Sequence, residues 1–522
     1  MKNTRIFDFV IVGAGSAGCV LANRLTQDGS SSVAVVEAGG TDKKQEIQIP
    51  AAFSKLFKTP YDWAYYTEAQ AELDHRKLYW PRGKVLGGSS SMNAMIYTRG
   101  NPHDYDEWQR LGSEGWSFAD VLPIFERAEH RQSRGSGGPL EVSNLRTTNP
   151  LSHAFLQACE ETGIPRNDDF NGHTQDGAGF FRVTQRSGKR HSCAAAYLKP
   201  ALGRKNLTVL THAHTARVLF EGTRAVGVEC VQGRETFALR AEREVILCGG
   251  AVNSPQILML SGVGPADDLR RMGIRVVTDL PGVGNNLQDH LVAGVIHECT
   301  RPLTLANAES PANVLRYLLF HKGMLTSNVA EAGAFVRTAD NMQTADLELI
   351  FAPVYYMSHG FLNPKGHGFS IGAVDLHPKS RGSIRLRSRD PLEAPMIEPH
   401  YLEEPGDLQL LVAGTRLCRQ VARAKAFDDF RGPEVWPGSA AEGDAEIEAF
   451  IRATAETLYH PVGTCRMGSN DSAVVDSRLR VRGVNALRVI DASIMPTIVT
   501  GHPNAAVVMI AEKGADLIRS GV

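Results

Sequence analysis

The 522-residue chain has no apolar run approaching the roughly 18 residues that a membrane-crossing helix needs. It also lacks an excess of either charge: 56 Lys and Arg stand against 57 Asp and Glu, a net charge of -1. The overall balance therefore gives no electrostatic reason to expect nucleic acid or an anionic surface as a partner. Its eight cysteines (19, 159, 193, 230, 248, 299, 418 and 465) form no CxxC pair and no metal-ligand spacing. They read as reduced thiols, and no metal is expected. There is no internal repeat and no low-complexity tract. The opening MKNTRIFDF runs straight into a strand pattern, which leaves no room for a signal or transit peptide. A cytoplasmic protein is expected, with peripheral membrane contact left open. The length implies two large domains.

What is present begins with FVIVGAGSAG at 9–18. The apolar run 9–12 predicts a buried strand, and Gly13, Gly15 and Gly18 give the spacing GxGxxG before a helix expected over 17–25. Gly13 permits the tight turn, and Gly15 lets backbone N–H groups approach a pyrophosphate. Gly18 lets the helix pack on the strand. The helix start, with Ser16 and Ala17, offers unpaired N–H groups and the positive dipole end to the phosphates. A second strand, Val33–Val36, ends in Glu37, where a carboxylate pairs with ribose hydroxyls and repels a 2′-phosphate. Strand, turn, helix, strand and acid in this order predict a dinucleotide site. Taken alone, these residues also permit an NAD-dependent dehydrogenase.

An aromatic cluster, Tyr61, Trp63, Tyr65 and Tyr66, reads as core packing in preference to a cofactor wall. Next comes GKVLGGSSSMNAMIYTRG at 83–100, where Gly87 and Gly88 precede three serines and a helical pattern. Such a helix start meets the other side of a diphosphate or a flat ring. A strand over 244–248 then leads into GAVNSPQILMLSGVG at 250–264, with a helix expected over 254–261. These two long stretches, in this order behind the Rossmann fingerprint, resemble the two signatures of the glucose–methanol–choline (GMC) family of flavin oxidoreductases. The resemblance covers essentially the whole chain and looks closest to bacterial alcohol and choline dehydrogenases.

That resemblance implies an α/β fold: a Rossmann-like FAD-binding domain with an inserted α+β substrate domain built on an antiparallel sheet. The FAD domain is expected over 1–150, 196–297 and 459–522, and the substrate domain over 151–195 and 298–458. It further implies that Ala38, Arg82, Val85, Gly87, Gly88, Ser89, Asn93, Ala94 and Met95 border the FAD. Thr215 is expected by the adenine, acting mostly through its backbone, and Asp491, Ala492, His502, Pro503 and Asn504 on the C-terminal side. Some relatives attach the flavin through a histidine where this chain has Met92, so FAD is expected to be non-covalent. Within 298–458, strands are expected over 346–352, 369–376 and 382–388, the last with period-two alternation, and helices over 312–320, 406–424 and 441–455.

The C-terminal part carries LYHPVGTCRMG at 458–468, LRVIDAS at 487–493 and GHPNAA at 501–506, before a closing helix over 506–518. The family resemblance makes His460 the group that handles the alcohol proton, and Asn504 the second catalytic position. A neutral imidazole can accept a hydroxyl proton near working pH. An amide opposite can hold the same oxygen with its C–H about 3–3.5 Å from the hydride acceptor. GHPNAA departs from the commoner GNxNAP, which gives His502 a secondary acid–base role to test.

The expected reaction is FAD-dependent oxidation of a primary alcohol, aliphatic or aromatic, to the aldehyde. Electrons then pass to oxygen, a quinone or a cytochrome. Choline dehydrogenase-type activity and a non-redox FAD-containing cyanohydrin lyase are the alternatives. For choline, Glu331, Tyr355 and Tyr356 are the candidates to hold a quaternary ammonium. The segment LTSNVAEAG at 325–333 resembles that of aliphatic alcohol dehydrogenases instead.

Overall fold

The first strand runs from Arg5 to Val12 in a computed structural model that describes residues 5–131, 136–362 and 364–521. It lies parallel between Val33–Val36 and Glu235–Leu247. Leu207–Leu210 extends the sheet on one side, and Arg224–Gln232 and His214–Glu221 extend it antiparallel on the other. Leu487–Val489 adds a parallel strand at the end of Glu235–Leu247. Residues 9–12 and 33–36 are buried without alternation, as strands covered on both faces should be. The helices Ser16–Leu25 and Asn504–Arg519 contact one another over this sheet, so the two ends of the chain share one core.

A second sheet is antiparallel throughout, in the order Arg431–Trp436, Leu291–Cys299, Gly368–Asp375, Leu347–Ala352, Ala332–Val336 and Gly177–Phe180. Its strands obey the period of two. Leu349, Phe351, Phe369 and Ile371 join a core with Leu151 and Phe155 of the helix Pro150–Glu161 and Cys418 and Val421 of Pro405–Arg423. Their neighbours Ile350, Ala352, Ser370 and Gly372 turn to the opposite face and line a cavity.

Three expectations change. The strand read over 382–388 is Gly382–Arg385, and it pairs with Asn285–Leu287 and Met396–Glu398 in a small separate sheet. The helix expected after Gly87 and Gly88 is only a 3-10 turn, Gly88–Ser91. There the hydroxyls of Ser90 and Ser91 donate back to the carbonyls of Gly87 and Leu86, which competes with helix propagation. The boundary read between 297 and 298 falls inside Leu291–Cys299, a strand of the second sheet.

Candidate active site

A cavity of about 410 Å³ lies between the two sheets and is lined from both. On the Rossmann side it is bordered by Gly13, Gly15, Ser16 and Ala17. Gly13 has φ +96°, and a Cβ there would stand 2.5 Å from the carbonyl oxygen of Cys248. Gly15 faces Gly88 so closely that a Cβ on Gly88 would come within 2.7 Å of the Gly15 Cα. Two glycine turns from distant parts of the chain thus meet with backbone alone. Gly18 does not reach the cavity; its Cβ would fall 1.9 Å from the Gly13 oxygen, so it serves the packing of the helix on the turn. Val85 and Gly87 also stand behind the lining, Val85 in an apolar cluster and Gly87 donating its N–H to Ala14 O at 2.7 Å.

Glu37, Ala38 and Thr215 line the same side. The Glu37 carboxylate accepts from the N–H groups of Ala14 and Gly39, both at 2.8 Å. Burial pushes its carboxyl up to about 7, against those two donors. Trp63 also borders the cavity, stacked on Tyr65 at 5.7 Å, while Tyr65 accepts from Asn253 Nδ2 at 2.7 Å. The aromatic cluster is therefore divided: Tyr65 is core packing, Trp63 is cavity wall and Tyr66 is exposed.

Three helix starts open on this space: Ser16, Gly250 and Asn504. Asp491 ties two of the surrounding turns, accepting from Gly250 N at 2.8 Å and from Ser493 N at 2.8 Å. Arg82, Ser89, Asn93, Ala94, Met95, Ala492 and Pro503 complete the lining, together with Met92. Glycine turns that exclude Cβ atoms, three converging helix N-termini and a buried carboxylate at the Rossmann end fit a dinucleotide with its pyrophosphate.

Toward the second sheet, three imidazoles meet. His290 precedes the strand Leu291–Cys299, and its Nε2 lies 3.1 Å from Leu376 O. A carbonyl only accepts, so His290 carries its proton on Nε2. Burial pushes this ring down to about 3, so it is neutral and its Nδ1 is an acceptor. That Nδ1 lies 3.0 Å from His460 Nδ1, which must therefore donate. His460 is left with Nε2 as an unprotonated lone pair. Burial first, then His502, His290 and Arg82, hold His460 well below the usual imidazole range.

The backbone around His460 is pinned as well. Its N–H donates to Asp289 Oδ1 at 2.7 Å, and Asp289 also accepts from the hydroxyls of Thr457 and Tyr401. Burial pushes the Asp289 carboxyl up to about 6. Tyr459, just before His460, sits at φ +68°, and Arg82 donates to its carbonyl. A bulky residue in the left-handed region stores strain that its surroundings must hold.

Asn504 and His502 also line the cavity. Asn504 Oδ1 accepts from the Ser16 hydroxyl at 2.7 Å, which directs its amide donor elsewhere. The His502 ring stands edge-on to His460 at 4.9 Å. Its Nε2 donates to Glu348 Oε1 at 3.0 Å, and Glu348 is fully buried. The second oxygen of Glu348 has no hydrogen-bond partner among the described residues. His290, Asp289 and Glu348 escaped the sequence reading. Each acts from outside a motif, and only the tertiary fold brings it to His460 or His502.

Of the residues considered for a quaternary ammonium, Tyr356 lines the cavity and Tyr355 and Glu331 do not. Glu331 accepts from Asn149 N at 2.7 Å, Ser152 Oγ at 2.8 Å and Ser327 Oγ at 2.6 Å. Among the described residues no cluster of His, Cys, Asp or Glu has the arrangement of a metal site, and the eight cysteines are free and buried. No described helix is long and apolar enough to cross a membrane.

Residues 7–292 match the N-terminal model, and residues 378–511 the C-terminal model, of the GMC oxidoreductases. Human mitochondrial choline dehydrogenase is 45% identical over 98% of this chain and 90% of its own length. The alcohol dehydrogenase [acceptor] of Pseudomonas putida is 45% identical over 98% and 96%. Among solved structures, formate oxidase of Aspergillus oryzae, studied for modification of its FAD, superposes with a TM-score of 0.94 at 27% identity, covering 100% and 99%. The matched models, the full-length relatives and the fold around these histidines agree: this chain belongs to the GMC oxidoreductases, FAD enzymes acting on CH–OH donors.

Proposed function

We propose that the protein oxidises an apolar primary alcohol, aliphatic or aromatic, to the aldehyde. The observation that carries this reading is the chain from Leu376 O through His290 to His460, which leaves His460 Nε2 as a proton acceptor in the cavity. FAD, when bound, supplies the hydride acceptor. His460 takes the hydroxyl proton, and the amide of Asn504, its oxygen held by Ser16, helps hold the substrate oxygen, so that the C–H is oriented. His502, fixed by Glu348, forms the third wall of this corner. The site residues inferred from the family resemblance are proposed to bind FAD non-covalently, since the thioether of Met92 cannot form a histidyl link. The Rossmann-like domain is proposed to comprise 1–150, 196–290 and 459–522, its middle boundary moved to spare the strand Leu291–Cys299.

Choline is the weaker reading. Glu331 spends its oxygens on three donors away from the cavity. Glu456 does border the cavity, but burial pushes its carboxyl up to about 7 and the His359 N–H occupies one oxygen. The face offered to substrate by the second sheet is mostly apolar, with Val292, Ile296, Ile350, Ala352 and Trp436, and Ser370 as a polar member. The test is an anaerobic titration with primary alcohols, choline included, followed by flavin absorbance. Bleaching by apolar alcohols supports the proposal, and admitting air or adding a quinone or cytochrome then identifies the acceptor. Bleaching by choline alone, or by no alcohol while FAD is bound, would overturn it.

A further inference from the structure

Large apolar side chains stand out from the surface together on one helix. Pro311–Phe320 exposes Leu315 (57%), Leu318 (53%), Leu319 (62%) and Phe320 (62%). Leu315, Leu318 and Leu319 are spaced i, i+3, i+4 and share one face. The other side is anchored, with Tyr317 buried against Leu305 and Leu325 and its hydroxyl donating to Gln48 O at 3.4 Å. The helix is therefore held firmly with its apolar face outward. Grouped exposure of this kind marks an interaction surface, where scattered single residues would not.

A second group of exposed apolar side chains lies across the 3-10 turn Pro50–Leu56, whose exposed residue is Lys55. On the near side Lys55 pairs with Glu309, just before the helix. On the far side a Cβ on Gly360 would lie 3.7 Å from Ser54, and Phe361 and Leu362 are 43% and 53% exposed. Phe361 packs edge-on against Phe57 at 6.4 Å, and Phe57 lines the cavity. The apolar face thus borders the cavity wall.

Its charges are of one sign. Segments 311–322 and 357–366 contain no acidic residue, while Arg316, Lys322 and Lys365 are exposed. The adjacent Glu309 is engaged by Lys55. A second copy docking through a two-fold axis would set this cationic rim against itself. A ten-residue helix spans about 15 Å, half of a bilayer core, so it lies in an interface and does not cross it. We propose that this face docks the protein on an anionic phospholipid membrane, with Leu315, Leu318, Leu319 and Phe320 in the acyl boundary and the three cations at the headgroups. The near-neutral net charge does not oppose this, because attraction falls off within a Debye length and is set by the local patch.

The test is sedimentation of the FAD-loaded protein with phosphatidylcholine vesicles, with and without phosphatidylglycerol. Binding to the anionic vesicles should exceed that to phosphatidylcholine alone by about tenfold or more, at about fivefold per cation. L318E/L319E should lower it at least about tenfold while flavin absorbance and elution volume stay unchanged, since both side chains lie outside the core. R316E/K322E should remove the preference for anionic lipid. As a separate reading, the emission of F320W should shift to the blue when anionic vesicles are added. A wild type left in the supernatant with F320W unmoved would overturn the proposal, as would L318E/L319E binding like wild type. A fall in oligomeric state in L318E/L319E would also overturn it and assign the face to a second copy.

Discussion

His460 depends on a proton that it does not itself choose. The carbonyl of Leu376 fixes the tautomer of His290, and His290 fixes that of His460. His460→Ala should keep FAD and fold yet slow flavin reduction by about 10²–10⁴-fold, the usual worth of a general base. His290→Phe leaves His460 in place without an acceptor for Nδ1–H, and stopped-flow reduction should fall by about 10²-fold through misplacement. The pH dependence has a definite sign. Burial lowers the His460 pKa, so the unprotonated base persists below the ordinary value near 6.5. Flavin reduction should therefore run flat from about pH 8 down to about pH 6 and fall only on further acidification. A midpoint at or above about 7 would show that another group is the base. Glu348 acts one residue further out. Glu348→Gln keeps the shape but removes the charge beside His502, and reduction should slow about tenfold while the plateau keeps its limits.

At the scale of elements, a carboxylate inside the second domain does structural work. Glu331 joins the start of the helix Pro150–Glu161, through Asn149 and Ser152, to the segment 327–331 that borders the cavity. Burial raises its carboxyl pKa, and its three donors oppose that shift. Glu331→Ala would strand those donors and should cost about 1–3 kcal/mol, read as a lowered denaturation midpoint, with the order of alcohol preference unchanged. A change in preference with stability intact would return Glu331 to the substrate. The same segment holds Val329 at φ +73°, a β-branched residue in the left-handed region beside the cavity, where the Asn328 side chain bonds Ala94 O and Ala330 O.

Elements that announce themselves by local pattern were legible in the sequence. The strand and turn at 9–18, the uniformly buried Val33–Val36 and the helix ending at Phe320 needed only hydrophobic runs and glycine spacing. His460 and Asn504 were singled out because their motifs resemble those of a family, and both line the cavity. Legibility stopped where local and long-range preferences compete. Serines that donate back to Leu86 and Gly87 ended the expected second helix. The strand at Gly382–Arg385 has the right period, but periodicity cannot tell which sheet it joins. Glu348 lies among the hydrophobic residues of an ordinary strand, Leu347–Ala352, and only the fold sets it against His502.

For the whole molecule, the Rossmann side of the cavity is bordered by stretches far apart in the chain, among them 13–17, 82–95, 249–253 and 491–504. Cofactor bound there contacts both ends of the Rossmann core, so it must favour the folded state over the unfolded one. Stabilisation by mass action is RT ln(1 + [L]/Kd), or about 2.7 kcal/mol at a free FAD concentration one hundred times Kd. Protein stripped of FAD by acid or chaotrope and refolded should show a lower Tm that climbs with the logarithm of added FAD. A flavin that could not be stripped, with Tm indifferent to added FAD, would argue for covalent attachment. Gly88→Ala tests the same linkage from the protein side. Its Cβ would stand 2.7 Å from Gly15 Cα at a φ of +53°, so the two glycine turns must separate. The variant should need a higher FAD concentration to reach the same Tm gain, and purify with less flavin per chain. An unchanged FAD dependence in Gly88→Ala would mean that the contact between these turns does not shape the binding site.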